Sequence, residues 1–304
     1  AYEIRPRDWS SDVCSSDLLV QWAAGGMLFC WVTTRRREVS LGYGWLLRGV
    51  FGGFAVWGLV LWVRNDAAQS PSVAAQVAAL LCVAACVGGV ITSVQRRRVG
   101  VREGEAERAR KQARVAAMLP GDEAPTTEAP PPGVPADAGP EFDPRWDLAA
   151  GVAGMVALVL AATTIDAPYA LSTARLLSGA AFLGCVSDAM LLGHWYLTQP
   201  GLPREPIREL VRWAAPVWVL EVAGLLWPVG MVSVLTGSIS DGYGGILAWM
   251  WALSAASTGV LILVTWLALK ERSYSAVMAA TGLLYLAILT GFGTDVLARA
   301  LLAP

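Results

Sequence analysis

The chain has 304 residues, of which 55% are hydrophobic and 15% charged, and its mean hydropathy is +0.51. Soluble domains carry about 25% charged residues, so this composition excludes an ordinary soluble protein and predicts an all-α, polytopic integral membrane protein. The formal net charge of −1 averages a basic part of the chain with an acidic one.

Residues 1–18 are polar, in contrast to the apolar chain that follows them. Residues 7–18 read RDWSSDVCSSDL, with four serines and three aspartates and without the apolar middle that a secretory signal needs. The segment resembles a translated sequencing-library adapter: one reading frame of the adapter encodes residues 8–18, and its upstream piece encodes residues 1–4. The resemblance implies that residues 1–18 are an artefact, and that native residues before Leu19 have been lost.

Transmembrane helices are predicted along the remaining chain. Charged residues are so clustered that residues 72–94, 148–165 and 244–269 hold none and residues 41–63 hold only Arg48. Each stretch is close to the roughly 20 residues that a helix needs to cross a bilayer, and helices are required because lipid cannot satisfy open backbone groups. Eight spans are predicted, at residues 19–34, 44–63, 72–94, 147–165, 174–197, 212–235, 245–269 and 275–297.

The basic residues predict the orientation of these spans. Eighteen Lys and Arg side chains fall on one side of the eight-span arrangement, and only Arg64, Arg175 and Arg299 fall on the other. The positive-inside rule places the eighteen in the cytoplasm. Since membrane insertion alone explains these arginines, the lipid bilayer is the expected partner and nucleic acid is not. The excess of 21 Arg over 2 Lys favours a GC-rich bacterial genome and a plasma membrane location.

A polar segment divides the membrane part into a three-span half, residues 19–94, and a five-span half, residues 146–304. Residues 95–119 alternate Glu with Arg and Lys and predict a basic cytoplasmic helix. Residues 120–145 are rich in proline and acid, which predicts a disordered cytoplasmic linker. The stretch that begins at Gln95 and ends at Pro144 is a candidate docking segment for a cytoplasmic protein, or a solvated extension that meets lipid headgroups.

Two acidic residues fall inside predicted spans, where a charge is costly and is a functional candidate by default. Asp188 lies in the fifth span, and Glu221 lies in the sixth, between Pro216 and Pro228. With a loop of residues 198–210, both acids would reach roughly 15 Å into the bilayer from the same side. Prolines that interrupt a helix at membrane depth are typical of transporter binding sites. The alternative is that each acid is protonated or hydrogen-bonded and only fixes helix packing.

Other residues in the spans have both a structural and a chemical interpretation. His194 is the only histidine, which leaves an interfacial hydrogen bond, a proton relay or at most a His/Met haem. Cys82 and Cys86, one turn apart, could bind a soft metal or pack as small apolar residues. Close helix contacts are predicted at three pairs of small residues: Gly49 and Gly53, Ala150 and Gly154, and Ala180 and Gly184.

The sequence therefore supports two hypotheses of function. The first is a transporter or ion-coupled protein that uses Asp188 and Glu221 as an intramembrane carboxylate pair for a small solute or ion. The second is a noncatalytic membrane scaffold or assembly factor that docks through residues 95–144. An intramembrane redox or other enzyme is a third hypothesis. No cofactor, metal or catalytic residue is predicted for it, because no phosphate-binding glycine loop, zinc-protease motif or serine nucleophile elbow stands out.

Overall fold

The computed structural model describes residues 11–64, 70–118, 142–165, 167–199, 202–227, 230–271 and 273–302. Over these residues the chain contains helices and turns and no strand, which confirms the all-α class. The elements are α1 (Ser11–Thr34), α2 (Leu41–Arg64), α3 (Val73–Met118), α4 (Arg145–Ala161), a 3₁₀ turn (Ala162–Thr164), α5 (Tyr169–Thr198), α6 (Glu205–Leu226), α7 (Met231–Leu235), α8 (Ile246–Ala268) and α9 (Tyr274–Leu302).

Six helical segments of the described chain are long and apolar enough to cross a membrane, which supports a membrane protein. They are α2, the Val73–Arg96 part of α3, α4 with its 3₁₀ turn, α5, α8 and α9. The first and sixth predicted spans also fall on long helices, α1 and α6, but polar residues interrupt both. In α6 these include Glu209, Arg212 and Glu221. The count of eight spans therefore stays a prediction.

The cytoplasmic helix predicted at residues 95–119 is continuous with the third span. Together they form the 46-residue helix α3, about 69 Å long at a rise of 1.5 Å per residue. Most of the predicted linker, residues 120–145, lies outside the described residues. At its end the Phe142 side chain is buried in the bundle, and α4 begins at Arg145.

The sixth predicted span, residues 212–235, is wrong at its start and in its continuity. Helix α6 begins at Glu205, with Pro206 in the first turn. Proline is favourable there because the N–H group that it lacks would have no acceptor within the helix. It runs through Pro216 and ends at Leu226, and the short helix α7 begins only at Met231. Pro228 falls in this break and lies outside the described residues.

Helix α1 lies at the centre of the bundle and packs against α2, α4 and α5. Its contact with α5 is so close that a Cβ atom on Gly25 would overlap the Ala180 carbonyl. A Cβ atom on Gly184 would likewise overlap the Gly25 backbone. This small-residue contact is called here the α1–α5 seam (Gly25, Ala180, Gly184), and beside it Trp22 Nε1 of α1 donates to Ser187 Oγ of α5 at 2.6 Å. Two sets of buried charged groups lie at different levels of the bundle.

Candidate functional site

A buried ion pair forms the first set of polar groups, called here the Arg48 cluster (Thr34, Tyr43, Arg48, Asp147, Asp188). The Arg48 Nε and Nη2 atoms donate to the two Asp147 carboxylate oxygens at 2.6 and 2.9 Å. Thr34 Oγ1 adds a third donor at 2.8 Å. The Arg48 and Asp147 side chains are only 1% and 0% exposed, so this bidentate pair holds α1, α2 and α4 together inside the bundle.

Asp188 lies beside this ion pair without joining it. Its side chain is fully buried, and neither carboxylate oxygen has a hydrogen-bond partner in the described chain. The Tyr43 hydroxyl and Arg48 Nη1 are also buried without a partner there. Asp188 is close enough to interact electrostatically with both Asp147 and Tyr43. The Arg48 cluster thus combines one satisfied carboxylate with one that has no donor among the described residues.

Glu221 belongs to a second set, called here the Glu221 cluster (Gln21, Arg175, Ser178, Glu221, Asp295, Arg299). Ser178 Oγ donates to Glu221 Oε2 at 2.6 Å, while the buried Oε1 atom has no partner among the described residues. Arg299 Nε donates to Asp295 at 2.8 Å, and its Nη2 atom donates to Gln21. Arg175 Nε donates to the Gly224 carbonyl at 2.8 Å, next to the end of α6.

The two acids do not lie at the same depth. Glu221 contacts Ser178, which precedes Asp188 by ten residues on α5, a separation of about 15 Å along the helix. Nearer the loop that joins α5 to α6, the Cys185 thiol of α5 donates to the Leu210 carbonyl of α6 at 3.3 Å. The sequence-based estimate failed because α6 begins at Glu205, seven residues earlier than predicted. Asp188 and Glu221 are therefore two sites in separate clusters rather than one carboxylate pair.

His194 lies on an exposed face of α5, where its Nδ1 atom is 3.1 Å from the Tyr285 hydroxyl and the two rings meet edge to face. Cys82 and Cys86 are free, buried and packed in the largest apolar cluster. No group of three or more metal-binding side chains occurs in the described part of the chain. Pro216 is exposed on α6 and does not interrupt it.

The sequence analysis missed the Arg48–Asp147 pair, because both residues were assigned to loops or span ends. One signal could have identified it: Arg48 is the only charge in residues 41–63 and lies two turns inside α2. The opposite charge, Asp147, lies at the start of the predicted five-span half.

Comparisons with protein families, with curated proteins and with solved structures found no match to this chain. The function must be argued from the two clusters themselves.

Proposed function

We propose that this chain is a transport protein of a bacterial plasma membrane, coupled to a monovalent cation such as the proton, with eight transmembrane helices. Asp188 and Glu221 each bind the cation, one in each cluster. The observation that carries the proposal is the Asp188 carboxylate, which is fully buried and has no hydrogen-bond donor among the described residues. An ionised carboxylate in such a place is very costly, so the group needs a proton or another cation.

The arrangement of the two clusters supports coupled transport over simple packing. A packing acid is expected to have its oxygens satisfied, as Asp147 does with three donors. Asp188 and Glu221 both keep oxygens that have no hydrogen-bond partner in the part of the chain that the structure describes. The α1–α5 seam lies between them, where a Cβ atom at Gly184 would already overlap backbone. A cation passing from one cluster to the other therefore requires α1 and α5 to move apart, which is the kind of step that couples cation and solute movement.

Proteoliposomes that hold a pH-sensitive dye test this proposal. We expect an imposed membrane potential to drive proton uptake through the full chain, and Asp188→Asn and Glu221→Gln each to reduce the rate at least tenfold. The matched control is Glu205→Gln, which removes an exposed carboxylate from the same helix as Glu221 and leaves the rate unchanged. Parallel vesicles with a sodium- or potassium-sensitive dye report the other monovalent cations. Equal rates in the parent, in both variants and in protein-free vesicles for every cation contradict the proposal.

A scaffold is the second candidate, and the length of α3 favours it. The helix continues for 22 residues past Arg96, the end of its membrane-spanning part, and reaches Met118. A scaffold predicts that replacing residues 97–118 abolishes the cellular phenotype while Asp188→Asn leaves it intact. A transport protein predicts the opposite pattern, so the two variants in one strain background separate the two functions.

A further inference from the structure

We infer that Tyr43 and Glu38 form a proton relay that joins Asp188 to the end of the bundle that is predicted to face the cytoplasm. The inference rests on the proposed function and names the proton as the cation of the Asp188 site. It is carried by three buried polar groups that have no hydrogen-bond partner in the described chain, namely the Asp188 carboxylate, the Tyr43 hydroxyl and Glu38 Oε2.

Tyr43 spans the distance between Asp188 and the end of α5. The Tyr43 side chain is fully buried, and its ring meets the Trp195 ring edge to face with 6.1 Å between the centroids. Trp195 follows Asp188 by seven residues, or about 10 Å along α5. The Tyr43 hydroxyl is nevertheless close enough to Asp188 to interact electrostatically. Thr33 lies near the same hydroxyl without a hydrogen bond to it, and Thr33 Oγ1 donates to the Cys30 carbonyl at 2.8 Å.

Glu38 lies where this path reaches the edge of the bundle. It is half-buried in the loop between α1 and α2, and its Oε2 atom is buried without a partner among the residues that the structure describes. Two of the arginines that precede it in the chain pair with Glu209 on α6 instead. Tyr196 is close enough to interact electrostatically with both Glu38 and Tyr43, so these two side chains lie around the same hydroxyl group.

The groups around Asp188 favour a proton over a metal ion. Metal cations such as K⁺ and Ca²⁺ bind several oxygen atoms at once. Asp188 has the thiols of Cys30 and Cys185 beside it, and the oxygens of its acidic neighbour Asp147 are already bound by Arg48. A proton needs only one oxygen of Asp188 itself. The titratable side chains that interact electrostatically with Asp188 are Cys30, Tyr43, Asp147 and Cys185.

Each transfer through the relay moves one proton. Glu38 takes a proton from the solution, and its carboxyl group then donates this proton to the Tyr43 oxygen. In the same step the O–H proton of Tyr43 passes to the Asp188 carboxylate, so Tyr43 stays neutral and Glu38 returns to its ionised form. Tyr43→Phe keeps the ring beside Trp195 but removes the oxygen that the proton must cross.

Infrared spectroscopy of hydrogen–deuterium exchange in the purified full chain tests the relay. The C=O band of a protonated carboxyl group shifts when its O–H becomes O–D, and the band that Asp188→Asn removes is that of Asp188. After mixing with D₂O, we expect this band to shift about tenfold more slowly in Tyr43→Phe and in Glu38→Gln than in the parent, with the same end point. A mere loss of packing would loosen the bundle and make the exchange faster.

The matched controls are Tyr169→Phe and Glu205→Gln, which should exchange like the parent. Tyr169 is an exposed tyrosine at the opposite end of α5, and Glu205 is an exposed acid. The inference is overturned if no band depends on Asp188, if either Tyr43→Phe or Glu38→Gln exchanges as fast as the parent or faster, or if Tyr169→Phe slows the exchange equally.

These outcomes differ from a failure of the proposed function, which is judged by cation flux in proteoliposomes. A chain that carries sodium ions through Asp188 and lacks the band of a protonated Asp188 retains the function and loses the inference.

Discussion

The Arg48–Asp147 pair shows how a single buried contact can organise several helices. Asp147 accepts three hydrogen bonds from α1 and α2 while it sits in the first turn of α4. Its position in the first turn is also favourable for an acid, because a helix N-terminus carries partial positive charge. Removing one partner of such a pair leaves the other charge buried and alone, which is costlier than the loss of the pair itself.

Asp147→Asn is therefore expected to lower the free energy of unfolding by about 3–5 kcal/mol. Unfolding of the purified protein in mixed micelles, followed by circular dichroism, measures the change. Arg145→Gln is the control, because Arg145 lies two residues earlier on the same helix and is exposed. A loss of less than about 1 kcal/mol for Asp147→Asn, which is typical of a surface ion pair, would contradict the structure.

The sequence identified only some of the buried charged side chains. Asp188 and Glu221 were found because each interrupts an otherwise apolar span. Their separation was not, since it depends on where α6 begins, and Glu205 and Pro206 looked like loop residues. Arg48 was grouped with the arginines of the cytoplasmic loops, because a sequence does not show which arginine forms a buried ion pair with a distant aspartate.

Small residues decide how closely the helices approach one another. Of the three predicted pairs, Ala180 and Gly184 form the α1–α5 seam, and Gly154 lies against Ala24 of α1. The pair Gly49 and Gly53 was wrong: Cβ atoms there would meet no atom of the described residues within 4 Å, because this face of α2 is open. Spacing alone identifies small pairs but not the face of the helix that packs.

Gly184→Ala and Gly53→Ala form a matched test of this difference. The added methyl group at residue 184 would collide with the backbone of α1, so we expect a loss of about 1–3 kcal/mol or more. At residue 53 the same change should be neutral or stabilise by up to about 1 kcal/mol, since alanine favours helices over glycine. The same micelle unfolding assay compares both variants with the parent. Equal effects would show that the α1–α5 seam is looser than the structure has it.

The loop before α8 contains a carboxylate that organises the start of the helix. Asp241 accepts hydrogen bonds from the backbone N–H groups of Gly245, Tyr243 and Leu247 at 2.8, 2.9 and 3.0 Å. Chiefly the Gly245 N–H lowers the pKa of Asp241 below its ordinary value. Gly242, Gly244 and Gly245 all have positive φ angles, which allow the chain to wrap around the carboxylate.

A pH-dependent contribution to stability follows for Asp241. Because its pKa is lower in the folded state, the ionised group stabilises the fold above the ordinary aspartate value of about 3.9, and this contribution is lost as pH falls through the lowered pKa. The parent should therefore unfold at a higher Tm than Asp241→Asn at pH about 7, with the gap closing below about pH 3. Ser240→Ala, which removes a neutral acceptor from Gly242, should give a gap that does not change with pH. A constant gap for Asp241→Asn would rule out the capping role.

Most elements of the fold were predictable because every predicted span except the sixth falls on one long helix. The errors lie where the chain is polar: α6 starts early at Glu205, and α6 and α7 are separated by a break. Hydropathy is averaged over a window of residues. It therefore cannot show that α6 begins near Pro206, or that the helix ends because of its local backbone geometry. The continuation of α3 to Met118 agrees with its predicted Glu and Lys or Arg spacing.

Residues 1–18 are predicted to be an adapter-derived artefact, and the gene itself can test this prediction. We expect genomic DNA amplified across the start of the gene to encode a different sequence before Leu19, since the resemblance to an adapter ends at residue 18. Ser16 and Asp17 are buried, and Asp17 accepts a hydrogen bond from Trp62 at 2.8 Å. Asp17 is also close enough to Arg299 of the Glu221 cluster to interact with it electrostatically, whereas the Arg48 cluster contains none of residues 1–18. A genomic read that encodes residues 1–18 directly before Leu19 would refute the adapter origin.

The number of spans determines on which side of the membrane the loops after α7 and α8 lie. With eight spans, α6 crosses the membrane, so the loop after α7 is outside and the loop after α8 is cytoplasmic. If α6 does not cross, these two loops exchange sides. In a variant without native cysteines, the eight-span arrangement predicts that Ser238→Cys reacts with a membrane-impermeant maleimide only in right-side-out vesicles, and Ser273→Cys only in inverted ones. Both serines are exposed, which makes them suitable probes. The reversed pattern would exclude the eight-span arrangement and would place the Glu221 cluster away from the outer face.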